Sequence, residues 1–326
     1  MKKNILRSIL VGTAIASGLV FTSCEKEEAE APTVNFIAEP DGKLVTITAE
    51  STGVNTWAWD YGDGNSSTTA GSHTYTYTES GPYTITCTVN GDGGEASKSV
   101  DVTIASSVEE LISGGPGATN GKTWVVNRVA TTGKDGVGQV NNDLNIDLSL
   151  SALIPDNMLD QFGLGEEYDN EYTFFYNGDY LMNPVNGEVV AGLIHGIATQ
   201  TITVPSNDPG SLPFCAATYT TPENGTWALS TDDYEVTAII DPAFVANAEP
   251  YDVTFTFPTD NKIARFDLSD GQFLGILDTF VGEQDPVTIL KEITTEYMHI
   301  IILVSGDEDN PDLPTLAFHI TLIPKV

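Results

Sequence analysis

"TWAWDYGDGNSSTTAGSHTYTYTESGPYTITCTV", residues 56–89, alternates with a period of two and gathers its glycines and acids into one short turn. His73, Tyr75 and Tyr77 share one face, as do Tyr83, Ile85, Cys87 and Val89, with threonine at most of the opposite positions. Alternation of this kind marks half-buried strands, whereas an amphipathic helix repeats its apolar residues about every 3.6 positions. "GDGN" at 62–65 and "NGDGG" at 90–94 supply turns, because glycine adopts positive φ without steric cost. No helical periodicity interrupts the chain from Thr33 to about Ala105, so residues 33–105 are expected to form an all-β domain.

Trp59, Asp60, Tyr61, Gly62, Asp63 and Gly64, followed in order by His73, Tyr75, Gly81 and Tyr83, resemble the PKD domain, an immunoglobulin-like sandwich. The resemblance implies an architectural motif: the tryptophan packs in the core and the acidic turn closes a hairpin. Trp57 lies two residues before Trp59 on the same strand face, so both indoles are expected in the core, and the domain is expected to act as a spacer.

Residues 106–121, including "SVEELISGGPGATNG" at 107–121, start with a helical turn and end in glycine-rich chain, which reads as a linker. Beyond it, over 122–326, nine segments are rich in β-branched and aromatic residues: "KTWVVNRV", "NEYTFFYNGDYLM", "TQTITV", "NGTWALS", "YEVTAII", "YDVTFTF", "VTILKEI", "MHIIILV" and "LAFHITLI". Only "SALIPDNMLDQFG", residues 151–163, has helical character. So many strands imply a sandwich or a barrel. The expected class is all-β, an Ig-like PKD sandwich followed by a larger jelly-roll-like β-sandwich. A lipocalin-like barrel is the alternative, since "GTWALSTDDYEVTAI" also suits an up-and-down strand pair.

The order of these segments, from "KTWVV" through "YTFFYNGDY" and "GTWALS" to "FHITLIP", resembles the C-terminal module of PKD-containing surface lipoproteins in Bacteroidota glycan-utilisation systems. The family pattern has a fuller glycine-rich sequence after the first strand than "TTGKDGVGQVNND" at 131–143 offers.

The N-terminus has a separate logic. Lys2, Lys3 and Arg7 precede an apolar run from Ile9 to Phe21, too short for the about 20 residues of a membrane-spanning helix, so residues 1–23 read as an export signal. Thr22-Ser23-Cys24 resembles a bacterial lipobox, which implies lipidation of Cys24 after cleavage. The acidic tether at 24–32, opening with Glu25-Lys26-Glu27-Glu28, resembles the surface-export tag of Bacteroidota lipoproteins and implies an outer-membrane protein facing outward. A charged segment of this kind also cannot bury enough apolar surface to fold alone.

Loss of the signal removes three basic residues and leaves ten against 46 acidic ones, a formal charge of −36. Nucleic acid and anionic headgroups are excluded as partners, because binding them needs clustered Lys and Arg. Neutral glycans remain open, and the lipid anchor is the expected membrane attachment. Beyond Cys24 only Cys87 and Cys215 remain, in different domains, and each is expected to be a small buried apolar residue.

His73, His195, His299 and His319 lack metal-ligand spacing, and neither a nucleophile elbow nor a phosphate-binding loop occurs. Glycoside hydrolysis needs only two carboxylates, but their abundance here makes each uninformative. Glu292 and Glu296 come nearest to a pair and read as solvated charges. No cofactor is expected: the loop "GDEDNPD" reads as a solvated hairpin tip, with a calcium site at Asp307, Asp309 and Asp312 as the alternative, although the EF-hand order fails at Pro311. Sugar binding uses aromatic faces with amides and carboxylates beside them. The candidates are Trp227 after the "PENG" turn, Tyr168 in the polar "GEEYDNE" loop, Trp124 in the first strand, and Tyr180.

The expected function is non-catalytic: a cell-surface lipoprotein that binds polysaccharide or oligosaccharide. The glycan, and the neighbouring outer-membrane transporter or surface hydrolase that would receive it, come from the resemblance. The alternatives are a structural or adhesive protein that binds protein or matrix, and a glycoside hydrolase.

Overall fold

Alternating side chains sort residues 33–104 into two packed sheets. The computed structural model describes residues 29–139, 152–205, 214–238, 249–255, 264–269, 271–277, 287–304, 314 and 316–326. Strands Thr33–Asp41, Leu44–Thr52 and His73–Thr76 form one sheet. Ser66–Ser67, Thr56–Asp60, Gly81–Gly91 and Gly94–Ile104 form the other, in that spatial order. Ile85, Cys87 and Val89 are fully buried, while the threonines between them lie on the outer face. Phe36, Val45, Ile47, Trp59 and Tyr61 complete the core.

The motif turn is held by its own acids. Asp60 Oδ1 accepts from Gly62 N at 2.9 Å and Asp63 Oδ1 from Asn65 N at 3.0 Å. Position 62 must be glycine: φ is +78° and a Cβ there would lie 2.7 Å from the Thr84 carbonyl oxygen. Trp59 is 1% exposed, meets Phe36 edge-on at 5.0 Å and donates Nε1–H to Thr69 O at 2.9 Å. The expected core tryptophan is therefore observed, whereas Trp57 is only half-buried and stacks on Trp59 at 5.9 Å.

The chain divides into two compact units, and residues 103–326 lie in the second. The segment read as a linker includes a helix, Val108–Ser113, opened by a capping box in which Ser107 Oγ accepts from Glu110 N and Glu110 Oε2 accepts from Ser107 N. Ile112 is fully buried in the second unit's core, and its carbonyl accepts Trp124 Nε1–H at 2.8 Å. This stretch is docked chain and not a free tether.

Eight strands of the second unit pair in series. They are β1 Lys122–Val126, β2 Glu171–Phe174, β3 Tyr180–Asn183, β4 Trp227–Ser230, β5 Ala264–Leu268, β6 Val287–Ile293, β7 Met298–Val304 and β8 Leu316–Pro324. The path runs β3-β2-β1-β8-β7-β6-β5-β4 and is antiparallel throughout. An isolated bridge, Asp179↔Thr226, joins its two ends, with Tyr180 N donating to Gly225 O at 2.8 Å and Trp227 N to Gly178 O at 2.9 Å. Taken by themselves, the eight therefore each neighbour the next of the eight in chain order, with shorter strands of other sheets inserted between some of them, and β8 returns to β1. The all-β class and the Ig-like first domain are as expected, and the connectivity in the second domain is the up-and-down order of the barrel alternative.

Trp124, Tyr172, Phe174, Met182, Phe266, Leu290, Ile300, Ile302 and Leu322 fill the resulting core. A smaller sheet adds Val189, Val190, Phe214 and Cys215 from strands Glu188–Gly192 and Phe214–Thr218. Cys87 and Cys215 are buried free thiols, as expected.

One irregularity interrupts the barrel. β8 pairs with β1 through Leu322↔Val126 and then with the short strand Gly136–Gln139 through His319↔Gly136, so residues 127–135 leave the sheet between the two pairings. Asp135 fills the gap: its carboxylate accepts from Thr321 N and Thr131 N, each at 2.5 Å, and from Thr321 Oγ1 at 2.8 Å. A side chain thus satisfies a strand N–H that would otherwise be left without its ladder partner.

Candidate functional site

The four aromatic candidates are all internal. Trp124 is fully buried, Tyr180 is 3% exposed, Trp227 7% and Tyr168 8%. Each ring's polar atom is also engaged inside: Trp227 Nε1–H donates to Phe175 O at 2.9 Å, Tyr180 OH to Phe273 O at 2.6 Å, and Tyr168 OH accepts from Leu159 N at 3.2 Å. A sugar stacks on an open ring face, so the expectation of an aromatic platform at these residues is corrected. The polar neighbours of Tyr168 suggest exposure, but the 3-10 turn Gly165–Asp169 buries Glu167 and Tyr168 and leaves Glu166 outside. Cys24, Asp307, Asp309 and Asp312 lie outside the described residues. Among the described residues no group of three or more His, Cys, Asp or Glu side chains could hold a metal ion.

Among the described residues, two concavities stand out. The first is an open groove of about 540 Å3 at the join between β3 and β4, lined by Asp179, Leu181, Thr221, Glu223, Asn224 and Thr226. Its size falls within the roughly 300–1,000 Å3 of small-ligand sites. The wall is built by tight turns: a Cβ at Gly225 would lie 2.6 Å from the Tyr180 carbonyl oxygen, which admits only glycine. Asn177 Nδ2 donates to Asp179 Oδ2 at 2.8 Å, Thr221 Oγ1 to Met182 O at 2.8 Å, and Gln272 Nε2 to Pro222 O at 3.0 Å. Leu181 is 48% exposed and supplies an apolar surface among these polar groups. In the sequence Asp179, Glu223 and Asn224 look like ordinary turn residues, and only the pairing of distant strands brings them together.

The second is a small cavity of about 50 Å3 inside the second unit, beside the 127–135 excursion. Its walls are mainly apolar, but two carboxyl groups line it, those of Glu167 and Asp135. Glu167 is 2% exposed and accepts from Tyr172 OH, from Asn170 Nδ2 at 3.1 Å and from Val190 N at 3.1 Å. Burial pushes its pKa up to about 7 against the opposing pull of these three donors. Desolvation also raises Asp135, offset in part by Thr131 and Thr321. A buried polar pair, His299 Nε2 and His319 Nδ1 at 3.3 Å, joins β7 to β8, and burial together with the neighbouring His319 drops His299 to about 3. Neither histidine lines the groove or the cavity.

Comparison with known proteins supports one domain. No curated protein matches the chain. Among solved structures, the PKD1 domain of the Vibrio cholerae metalloprotease PrtV is 28% identical over 24% of this chain and 100% of that one, with a TM-score of 0.23. The PKD1 domain of Vibrio anguillarum Epp is 30% identical over 23% of this chain and 94% of that one, TM-score 0.22. A chain described as a carbohydrate-binding module of the β-sandwich superfamily is 14% identical over 90% of this chain and 92% of that one, TM-score 0.24. The family model described as "PKD domain" matches residues 29–105, and that segment of the chain is a PKD domain.

Proposed function

We propose that the protein is a non-catalytic, lipid-anchored surface protein whose second domain captures a neutral glycan in the groove between β3 and β4. Cys24 carries the acyl anchor, the acidic stretch after it is the tether, and the PKD domain is the spacer. The observation that carries this reading is the groove itself. It is open to solvent, about 540 Å3 in size, and rimmed by carboxylate, amide and hydroxyl side chains around the exposed Leu181. Recognition here rests on hydrogen bonds to sugar hydroxyls, with Leu181 and Pro222 under an apolar ring face, in place of aromatic stacking. The strongly acidic chain favours neutral over anionic polymers. Bound glycan would pass to a neighbouring transporter or hydrolase.

Affinity electrophoresis of the full chain against a panel of neutral polysaccharides, with and without calcium, tests the reading. At least one glycan should retard the protein, and the double variant Glu223→Ala/Asn224→Ala should migrate freely in it. No retardation by any glycan, or equal retardation of the variant, removes the capture function. Protease treatment of intact cells should degrade the protein, and Cys24→Ala should abolish its acylation and release it from the membrane fraction.

A further inference from the structure

The 50 Å3 cavity has a chemistry the groove lacks. One water-sized group takes about 10–15 Å3 on this scale, so the space admits only a few non-hydrogen atoms, fewer than a sugar ring contains. Val126, Ile154, Met158, Val190, Phe214 and Phe318 offer no partners for hydroxyl groups. Set into these walls, Glu167 and Asp135 each accept three hydrogen bonds. A carboxylate has about four acceptor positions, so Glu167 keeps one, whereas the Thr131 hydroxyl is a fourth donor to Asp135. Arg128 and Pro155 bring the lining to solvent. Arg128 is already committed: its guanidinium bonds Asp160 at 2.8 Å, lies 4.0 Å from Asp169 and sits over the Tyr168 ring at 4.6 Å. Asp156 accepts from the backbone N–H of Ala130, another lining residue, at 2.9 Å. The cation among the lining residues is therefore already paired with Asp160 and near Asp169, while two carboxyl-bearing residues line the cavity. This arrangement repels an anionic head group and attracts a cationic one.

We infer that this cavity binds the end of a short aliphatic amine, with the alkyl carbons against the apolar walls and the ammonium group hydrogen-bonded to Glu167 in the field of the Asp135 carboxylate. The site is separate from the glycan groove and does not depend on it. An ammonium group would supply the charge partner that no described residue gives the buried Glu167 carboxylate, and the apolar walls would dehydrate the chain.

The test is a titration of the full-length protein, labelled with 13C-methyl methionine, using n-butylamine, butan-1-ol and butyrate at equal ionic strength. Met158 lines the cavity, while Met298 is buried in the core away from the lining and serves as the control. n-Butylamine should shift the Met158 methyl signal saturably and leave Met298 in place. Butan-1-ol should bind about tenfold more weakly and butyrate not at all, since a hydrogen bond to a charged group is worth about 1.5–3 kcal/mol. Glu167→Gln and Asp135→Asn should each weaken the amine about tenfold without moving Met298 and leave butan-1-ol unchanged. Equal response to butyrate and butylamine, a shift that never saturates, or full affinity in both variants would overturn the assignment.

Discussion

The two domains are both all-β, yet they handle polar groups in opposite ways. None of the buried polar or charged residues among the described residues falls within 33–105; all lie between Glu110 and Thr321. Apart from the bonds of its aromatic rings, such as Trp59 Nε1–H to Thr69 O, the first domain sets many of its side-chain hydrogen bonds on the surface, as in the rungs Thr84–Asp101 at 2.7 Å and Thr86–Ser99 at 2.9 Å between its last two strands. The second places carboxyl groups where its regular structure fails: Asp135 at the break between β1 and the Gly136–Gln139 strand, Glu167 in a 3-10 turn against Val190. A barrel strand interrupted by an excursion leaves backbone donors that no neighbouring strand can reach. A buried acid is one way to satisfy several of them at once.

The largest effect should come from what the domains share. Trp59→Ala in the first and Trp124→Ala in the second each remove a nearly or fully buried indole and an internal N–H···O bond. Each should lower the stability of its own domain by about 3–5 kcal/mol, read from urea unfolding of the full chain. A loss below about 1 kcal/mol at either site would mean that indole is not a core element.

The next prediction separates the domains. Glu167 holds its proton to about pH 7 when folded, against an ordinary value of 4.5. The folded state binds the proton more tightly, so this contribution to stability is complete below pH 4.5 and is lost as pH rises to about 7. Glu167→Gln should flatten that dependence. The amide introduced there can donate to the Tyr172 oxygen, whose hydroxyl then turns to Gly275 O, 3.4 Å away. Urea midpoints at several pH values across that window should fall in the wild type and hold steady in the variant. Parallel curves would show that Glu167 is not the titrating group.

Legibility in the sequence follows the same division. The motif turn was readable because its contacts are local: Asp60 with Gly62, Asp63 with Asn65, Trp59 with Thr69. The nine strand segments of the second domain could also be read, since alternation is a local property. What could not be read is partnership across long separations, such as Pro324↔Trp124 and the Asp179↔Thr226 join, which fix the barrel order and create the groove. "ARFDL" at β5 and the Leu193–Thr199 helix were too short or too weakly patterned to stand out. Glu167 was hidden for a different reason. In "GEEYDNE" it looks like any solvated acid, and only the turn that carries it inward shows that it is buried.

A smaller effect is expected at Asp135. Asp135→Ala leaves Thr131 N and Thr321 N without their acceptor at the strand break, and the loss should be about 1–3 kcal/mol. Amide exchange checks the cause: protection should fall at Thr131 and Thr321 and hold at Ile300 and Ile302 in the neighbouring β7. A uniform loss of protection would mean that Asp135 supports the whole barrel and not the break alone.

The smallest effect tests the first domain's outer face. Thr86 Oγ1 bonds Ser99 Oγ at 2.9 Å, hardly longer than the 2.8 Å bond that Thr321 Oγ1 donates to Asp135, so length alone would rank the two as equals. Burial separates them. Water can replace the partner of Thr86 on an outer strand face, and valine keeps the β-branched shape that such a face favours. Thr86→Val should therefore change unfolding free energy by no more than about 0.5 kcal/mol. A loss above about 1 kcal/mol would make the Thr–Ser ladder a structural element, and the contrast between a domain that bonds its polar side chains outside and one that bonds them inside would no longer hold.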